Sequence, residues 1–191
     1  MRKLKLQIQT TIDGFVAGSR GEMDWMTFDW SADLLEFVRQ LTAPVDAIVL
    51  GRHLAQGFIP HWASLLDNPA TADAFARRMV ETPKIVFTKT LTNSPWPRTE
   101  VANGELVTEI NRLKSQPGGD LIVYGGGTLV SALIQQKLID ELHLFINPAI
   151  LGHGMPIFQQ VSAKQGYRLV QAQAFACGIV VVSYVPDLLA V

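Results

Sequence analysis

The stretch Leu121-Ile122-Val123-Tyr124-Gly125-Gly126-Gly127-Thr128 sets a short apolar run directly against three glycines. A continuous apolar run bounded by turn residues reads as a strand buried on both faces. Residues 128–136 then read as helix, so the chain passes from strand to helix through Gly125, Gly126 and Gly127. The same grammar occurs earlier, where Ala47-Ile48-Val49-Leu50 stops at Gly51 and a short helix is expected from about Arg52. Strand, glycine turn and helix in succession are the unit of an α/β sheet, in which ligands sit outside the carboxyl ends of the strands.

The rest of the chain continues this pattern. Residues 4–10 alternate with period two and read as a strand, broken at Asp13-Gly14. Residues 18–30 read as loop. Ser31 is placed as an N-cap, Leu34, Leu35, Phe37, Val38 and Leu41 make a helical stripe, and Pro44 ends it. Asn68-Pro69 predicts a second helix start, running through Ala74, Phe75 and Met79 to Pro83. Ile85-Val86-Phe87 is another buried strand, and residues 92–98 are loop. A helix over 105–114 is capped at Asn103 and stopped by Pro117-Gly118-Gly119. Residues 141–146 alternate as a strand, and 147–166 read mostly as loop. Residues 167–174 and 179–185 form an antiparallel hairpin around Cys177-Gly178. The expectation is a single domain, 1–191, built as a three-layer α/β sandwich. Its mixed central sheet is mostly parallel and carries a C-terminal antiparallel hairpin.

Composition narrows the function. The chain has 191 residues, 16 Lys+Arg against 17 Asp+Glu, and a net charge of −1, which leaves no basic footprint for nucleic acid or anionic membrane. No run of about 20 apolar residues offers a membrane span, and Met1-Arg2-Lys3 leads into no long apolar signal region, so the expected compartment is the cytoplasm. One cysteine, Cys177, excludes an internal disulfide framework, and His53, His61, His143 and His153 form no close-spaced ligand pair, so no metal is expected. Charged residues make up 17%, below the roughly 25% of an average domain, so something other than water is expected to cover part of the surface. A ligand cleft is one cover. A homodimer interface on the apolar late strands, Ile179-Val180-Val181-Val182 above all, is the other.

The chemistry follows from the glycines. A glycine turn into a helix lets backbone N–H groups approach a phosphate beside the positive end of the helix dipole. The junctions at Gly51-Arg52 and at Gly125-Gly126-Gly127-Thr128 could hold a dinucleotide pyrophosphate, although glycines also serve simply as tight turns. Neither a G-x-x-x-x-G-K-[ST] loop nor a first-strand G-x-G-x-x-G is present. Arg52 and Thr88-Lys89 follow different buried strands at the same end, and this cationic, hydroxyl-bearing pair suits a 2′-phosphate and favours NADPH. Trp25, Trp30, His61 and Trp62 are placed in loops near the cleft mouth, either stacking on a flat heterocycle or anchoring the loops.

Five stretches carry a resemblance over nearly the whole chain and in the right order: residues 11–18 (Thr-Ile-Asp-Gly-Phe-Val-Ala-Gly), 21–25 (Gly-Glu-Met-Asp-Trp), 46–53, 123–127, and 147–158 (Asn-Pro-Ala-Ile-Leu-Gly-His-Gly-Met-Pro-Ile-Phe). They resemble the dihydrofolate reductase superfamily, in the branch of the reductase domain of bacterial bifunctional riboflavin biosynthesis proteins. The resemblance implies NADPH as cofactor, held by Val16, Ala17, Gly51, Arg52, His53, Thr88, Lys89, Tyr124, Gly125, Gly126, Gly127, Thr128 and Leu129. Val16, Ala17 and Tyr124 would border the nicotinamide, and a cis peptide is expected at Gly125-Gly126. Trp25, Phe37 and Phe145 would face a small-molecule substrate. Asp33 is the implied catalytic acid, with Asp29 and Glu36 as competitors. To act near neutral pH its pKa would have to be raised by burial, and its place in a first helical turn equally suits the helix dipole. Phe145 stands where folate enzymes use a threonine to bridge acid and pterin, which speaks against folate reduction. The function implied is an NADPH-dependent reductase similar to 5-amino-6-(5-phosphoribosylamino)uracil reductase, acting on a pyrimidine-like, pterin-like or related substrate. The alternatives are a true dihydrofolate reductase and a nucleotide-binding protein without chemistry.

Overall fold

The computed structural model describes residues 1–187, and the last four residues of the expected 1–191 domain lie outside the described residues. Ten strands and five helices follow one another as β1 (Leu4–Thr10), β2 (Phe15–Ala17), α1 (Ala32–Thr42), β3 (Val45–Gly51), α2 (Arg52–Asp67), α3 (Ala74–Glu81), β4 (Lys84–Phe87), β5 (Thr99–Ala102), α4 (Leu106–Ser115), β6 (Asp120–Val123), α5 (Gly127–Gln135), β7 (Glu141–Ile146), β8 (Met155–Pro156), β9 (Tyr167–Ala174) and β10 (Val180–Pro186). Eight strands form one sheet in the order β5-β4-β3-β6-β1-β7-β10-β9. The pairs from β5 to β7 are parallel, and β10 joins β7 and β9 antiparallel. This is the expected sandwich with its C-terminal hairpin. No helix among the described residues is long and apolar enough to cross a membrane.

The helices divide between the two faces. Leu4, Leu6 and Ile8 of β1 pack with Ile110 and Leu113 of α4 and with Val130 and Leu133 of α5. On the other face, α2 and α3 pack on Ile48, Leu50, Val86 and Ile122, while α1 packs Leu34 and Val38 on Phe145 and Val181. The connections after β6 and β1 therefore leave on opposite faces, which makes their carboxyl ends the switch point where α/β sheets take ligands.

The alternation of β1 leaves a polar row, Lys5-Gln7-Gln9, under α1, where a strand covered on both faces is usually apolar. Lys5 answers this burial with an ion pair to Asp120 at 3.0 Å. Glu141 completes the cluster, meeting Lys3 at 2.7 Å and His143 at 3.3 Å. The His143 hydrogen bond and the neighbouring Lys3 and Lys5 ammoniums hold the Glu141 carboxyl down to about 2, against an ordinary 4.5. A carboxyl depressed by folding stabilises above its ordinary value and loses that stabilisation as pH falls through its folded value. Denaturant midpoints should therefore fall between pH 4.5 and 2, with about 2 kcal/mol of that loss absent in Glu141→Gln.

Several local features differ from expectation. Helix α2 is long and runs through Pro60. The proline removes one backbone bond, but Phe58 and Trp62 still pack edge-to-face at 6.0 Å, and Trp62 meets Phe75 of α3 at 5.4 Å. Asn68 thus ends α2, and α3 starts six residues later, where the Asp73 carboxylate accepts from the Ala76 N–H at 2.6 Å. Helix α4 is capped by Glu105 rather than Asn103. Ser31 precedes α1 without a side-chain cap bond, its hydroxyl accepting instead from the Cys177 N–H at 3.2 Å. Strand β5 was not expected, and β2 pairs with β8 in a separate two-stranded ribbon.

Candidate active site

Four strands end side by side at the crevice, and each delivers part of the expected cofactor set. Gly51 leads from β3 into α2, and Gly126 leads from β6 into α5. Neither helix start has a side-chain cap, so their first-turn N–H groups remain open to an anion. Gly125 and Gly126 have φ of +141° and +86°, a region that favours glycine, and the described residues contain no cis peptide, so the expected cis bond is replaced by this left-handed turn. The two turns touch. A Cβ on Gly126 would lie 3.8 Å from the Gly51 backbone, one on Gly51 would lie 3.6 Å from Leu129, and one on Gly127 would lie 3.9 Å from Val16.

The cations stand to one side of these turns. Arg52 opens α2 with a guanidinium nitrogen 3.2 Å from His53 Nε2. Thr88 follows β4, and its hydroxyl accepts from the Thr90 N–H at 3.1 Å. Lys89 donates to the carbonyls of Gly104 and Asn103 at 2.7 and 3.3 Å. Both Lys89 contacts are to backbone carbonyls, and the Glu105 carboxylate lies close enough to feel the Lys89 charge. Read across the sheet, Thr88-Lys89 follow β4, Gly51-Arg52 follow β3, Tyr124 to Gly127 follow β6, and Val16-Ala17 come after β1. From β4 to β1 is three strand spacings, roughly 14 Å.

The acid side differs from expectation. Asp33 is exposed, and its carboxylate accepts from the Leu34 N–H at 3.0 Å and the Ala176 N–H at 3.2 Å. The Ser31 hydroxyl and these N–H groups hold its pKa below the ordinary carboxylate value, where the expectation was a buried acid with a raised one. The reason is its place in a first helical turn facing the β9–β10 turn. Asp29 is likewise exposed, and Glu36 is paired with Arg39 at 2.6 Å and lowered to about 2. Phe145, expected to face the substrate, is instead wholly buried in the core under α1, stacked on Trp30 at 6.3 Å with Phe37 edge-on at 6.1 Å, because its strand position faces that helix. The Trp25 indole N–H donates to the Glu22 carbonyl at 3.2 Å and anchors its own loop. His61 and Trp62 lie on α2, not in a loop. Tyr124 stacks on Phe58 at 5.6 Å among the α2–α3 aromatics, and burial pushes its phenol pKa up.

With this arrangement in hand, a family model described as the RibD C-terminal domain matches residues 2–181. The chain belongs to the RibD C-terminal domain family. Among its relatives is the uncharacterized protein YyaP of Bacillus subtilis, 31% identical over 96% of this chain and 94% of that protein. The riboflavin biosynthesis protein RibD of Corynebacterium ammoniagenes is 25% identical over 80% of this chain but only 44% of its own length. Among solved structures, a putative riboflavin biosynthesis protein from Shewanella sp. PV-4 superposes with a TM-score of 0.73 at 22% identity, covering 98% of this chain and 99% of the other. A diaminohydroxyphosphoribosylaminopyrimidine deaminase/5-amino-6-(5-phosphoribosylamino)uracil reductase from Thermotoga maritima gives 0.70 at 20% identity, covering 97% of this chain and 57% of the other.

This RibD C-terminal domain also uses residues to which the sequence reading gave no role. Asn147 is fully buried, and its amide donates to Gln9 Oε1 at 2.7 Å and to the Phe145 carbonyl at 3.1 Å, while its oxygen accepts from the Thr27 N–H at 2.9 Å. Asp13 accepts from the Gly152 N–H at 2.7 Å. The Asn-Pro and Asp-Gly signals were visible, but they mark turns and do not reveal distant partners. Asn147→Ala leaves several buried groups unpaired and should lower stability by about 3 kcal/mol, a fall of roughly 6–12 °C in Tm by calorimetry.

Proposed function

We propose that this domain is a cytoplasmic, NADPH-dependent reductase of a small pyrimidine-like, pterin-like or related carbonyl or imine substrate. Membership of the RibD C-terminal domain family supports a riboflavin-pathway type of reductase, and the uracil reductase named for the Thermotoga maritima structure supports the substrate class. The observation that carries the reading is the succession of anion-binding elements along β4, β3, β6 and β1, with two uncapped helix N-termini meeting at Gly51 and Gly126.

When bound, NADPH supplies a hydride. The protein's part is to hold and orient. Arg52, Thr88 and Lys89 would bind the 2′-phosphate, and His53 would support Arg52. The N–H groups at Gly125, Gly126, Gly127 and Thr128 would cradle the pyrophosphate, with Leu129 packed against the Gly51 turn. Val16 and Ala17 would border the nicotinamide; Tyr124, expected beside them, packs instead with Phe58 on the α2–α3 face. Trp25 and Phe37 would shape the substrate side, while Phe145 packs beneath them in the core. Asp33 stays ionised at neutral pH and serves as an orienting group rather than a proton donor. Asp33→Asn should then reduce kcat by less than about tenfold, whereas loss of a general acid removes roughly 100- to 10,000-fold.

NADPH oxidation measured against ribosylaminopyrimidine and dihydrofolate substrates tests the reading. Turnover of a pyrimidine with NADPH supports it. Turnover of dihydrofolate alone makes the protein a folate reductase, a reading that the buried, apolar Phe145 opposes. Cofactor binding without any turnover makes it a binding protein. We also place a homodimer contact at β9, one of the two free edges of the sheet, where Leu169 and Val170 are exposed; Ile179 and Val181, expected at the heart of that contact, are instead buried in the core under α1. A monomer in sedimentation at micromolar concentration would remove that assignment.

A further inference from the structure

The sheet has two free edges, and they are built differently. Strand β5 is four residues long, follows Pro95 and Pro97, and ties Glu100 to Arg112 at 2.6 Å. Short length, proline and charge are how an edge strand is kept from pairing with another chain. Strand β9 runs for eight residues, Tyr-Arg-Leu-Val-Gln-Ala-Gln-Ala, with no proline, lysine or acid, and six of the eight are exposed. Its one charge, Arg168, is exposed and has no ion-pair partner among the described residues.

A bulge in β9 decides what can pair with it. Gln173 and Gln171 stand opposite Val181 and Ser183 of β10, on the face under α1. The register then shifts and leaves Val170 without an opposite residue. Val170 lines the same groove as Gln171 and so shares its face. Arg168, opposite Val185, returns to that face, while Tyr167, Leu169, Ala172 and Ala174 point the other way. From 167 to 174 the side chains thus run away, toward, away, toward, toward, away, toward, away, with respect to α1. The order is the same read backwards. A two-fold pair needs this self-complementarity, because residue i of one copy meets j of the other and j meets i. Eight strictly alternating residues laid in full on their own antiparallel copy would set opposite faces against each other.

The groove beside β9 supplies a charge match. It lies between α1 and the hairpin, has a volume of about 470 Å³, and is lined by Asp33 and Glu36 together with Val170, Gln171 and Gln173, with no lysine or arginine in its lining. The Asp33 carboxylate accepts from the Ala176 N–H, at the Gln173 end of the strand. Antiparallel pairing in full register sets Arg168 of a second copy opposite Gln173, on the α1 face.

We infer that two copies pair antiparallel through β9, joining their eight-stranded sheets edge to edge about a two-fold axis between Val170 and Gln171, and that Arg168 of each copy enters the groove of the other to meet Asp33. This rests on the homodimer placed at β9 above and adds its register and a residue supplied in trans. The Asp33 end of each site is incomplete in a lone copy. On the far face, Leu169 of each copy meets Ala172 of the other.

The test is sedimentation velocity across micromolar concentrations. Gln171→Glu and Gln171→Arg each put like charges side by side at the axis and should weaken the dimer ~10-fold or more, and an equimolar mixture of the two should restore it. Gln171 is exposed, so neither change threatens the fold, and recovery on mixing shows that both chains are folded. The Arg168 contact occurs twice in a two-fold dimer, so Arg168→Glu should weaken association ~10-fold, and Asp33→Lys added to the same chain should recover most of that loss. A dimer that ignores both Gln171 changes, or that weakens without recovering on mixing, overturns the inference while leaving a homodimer. An Arg168→Glu loss that Asp33→Lys does not recover overturns the contact in trans. A monomeric wild type sinks the inference and the homodimer together.

Discussion

Replacing Arg52 and Lys89 together by alanine should weaken NADPH binding by ~150- to 25,000-fold while changing NADH binding by less than ~3-fold. The two cofactors differ only at the 2′-phosphate, so the double variant separates the charge that meets that group from everything else in the crevice. Each charge-assisted hydrogen bond contributes about 1.5–3 kcal/mol, and two of them give the stated range. Lys89 must first leave the Gly104 and Asn103 carbonyls, so its single variant should lose less than that of Arg52. Arg52→Lys should recover little, because a point charge cannot reproduce a bidentate fork. Fluorescence titration with both cofactors reads all of this. Equal losses for NADPH and NADH would remove the 2′-phosphate assignment.

Gly126→Val should have an effect of similar size without selectivity between the two cofactors. At φ +86° a residue with a Cβ carries a strain of about 1–2 kcal/mol, and a β-branched one more. The strain falls on the residue that starts α5, so the relaxed backbone turns its first N–H groups away from the crevice. NADPH and NADH should both weaken by ~100-fold or more, with a modest fall in Tm. Gly152→Ala is the control. Its φ is +73° and a Cβ there meets nothing within 4 Å, so it brings comparable strain far from the helix start. Cofactor binding within twofold of wild type is expected for it. Equal damage from both variants would mean that global strain, not the turn at Gly126, explains the loss.

The sheet was legible because its central strands are short apolar runs stopped by glycine, a signal that depends on nearest neighbours in sequence. What escaped depends on partners far along the chain. Strand β5 (Thr99–Ala102) has no pattern of its own and exists because β4 offers it an edge. The helix expected from Arg52 was short, and aromatic packing between α2 and α3 accompanies its continuation through Pro60 to Asp67. The glycine junctions were found from sequence, since their residue type is itself the signal, but that Gly51 lies against Gly126 is a tertiary fact. Asp33 was legible as a helix-start carboxylate and not as an ionised one tied to Ala176, which lies 143 residues away. The alternation of residues 4–10 marked two faces of the strand without saying that α1 covers the polar one, which carries Lys5 and Gln7.

The Asn147 hub has a practical consequence for redesign. Thr27 is fastened to it directly, and the other end of the preceding loop is fastened where Thr11 and Phe15 bond each other, so the intervening segment hangs between two fixed posts. Residues 18–26 can therefore be treated as an exchangeable cassette. Splicing the corresponding segment of a relative between Ala17 and Thr27 should transplant substrate preference while the melting temperature and cofactor affinity stay those of the recipient. A chimera that loses both would show that the loop is wired into the sheet beyond those posts.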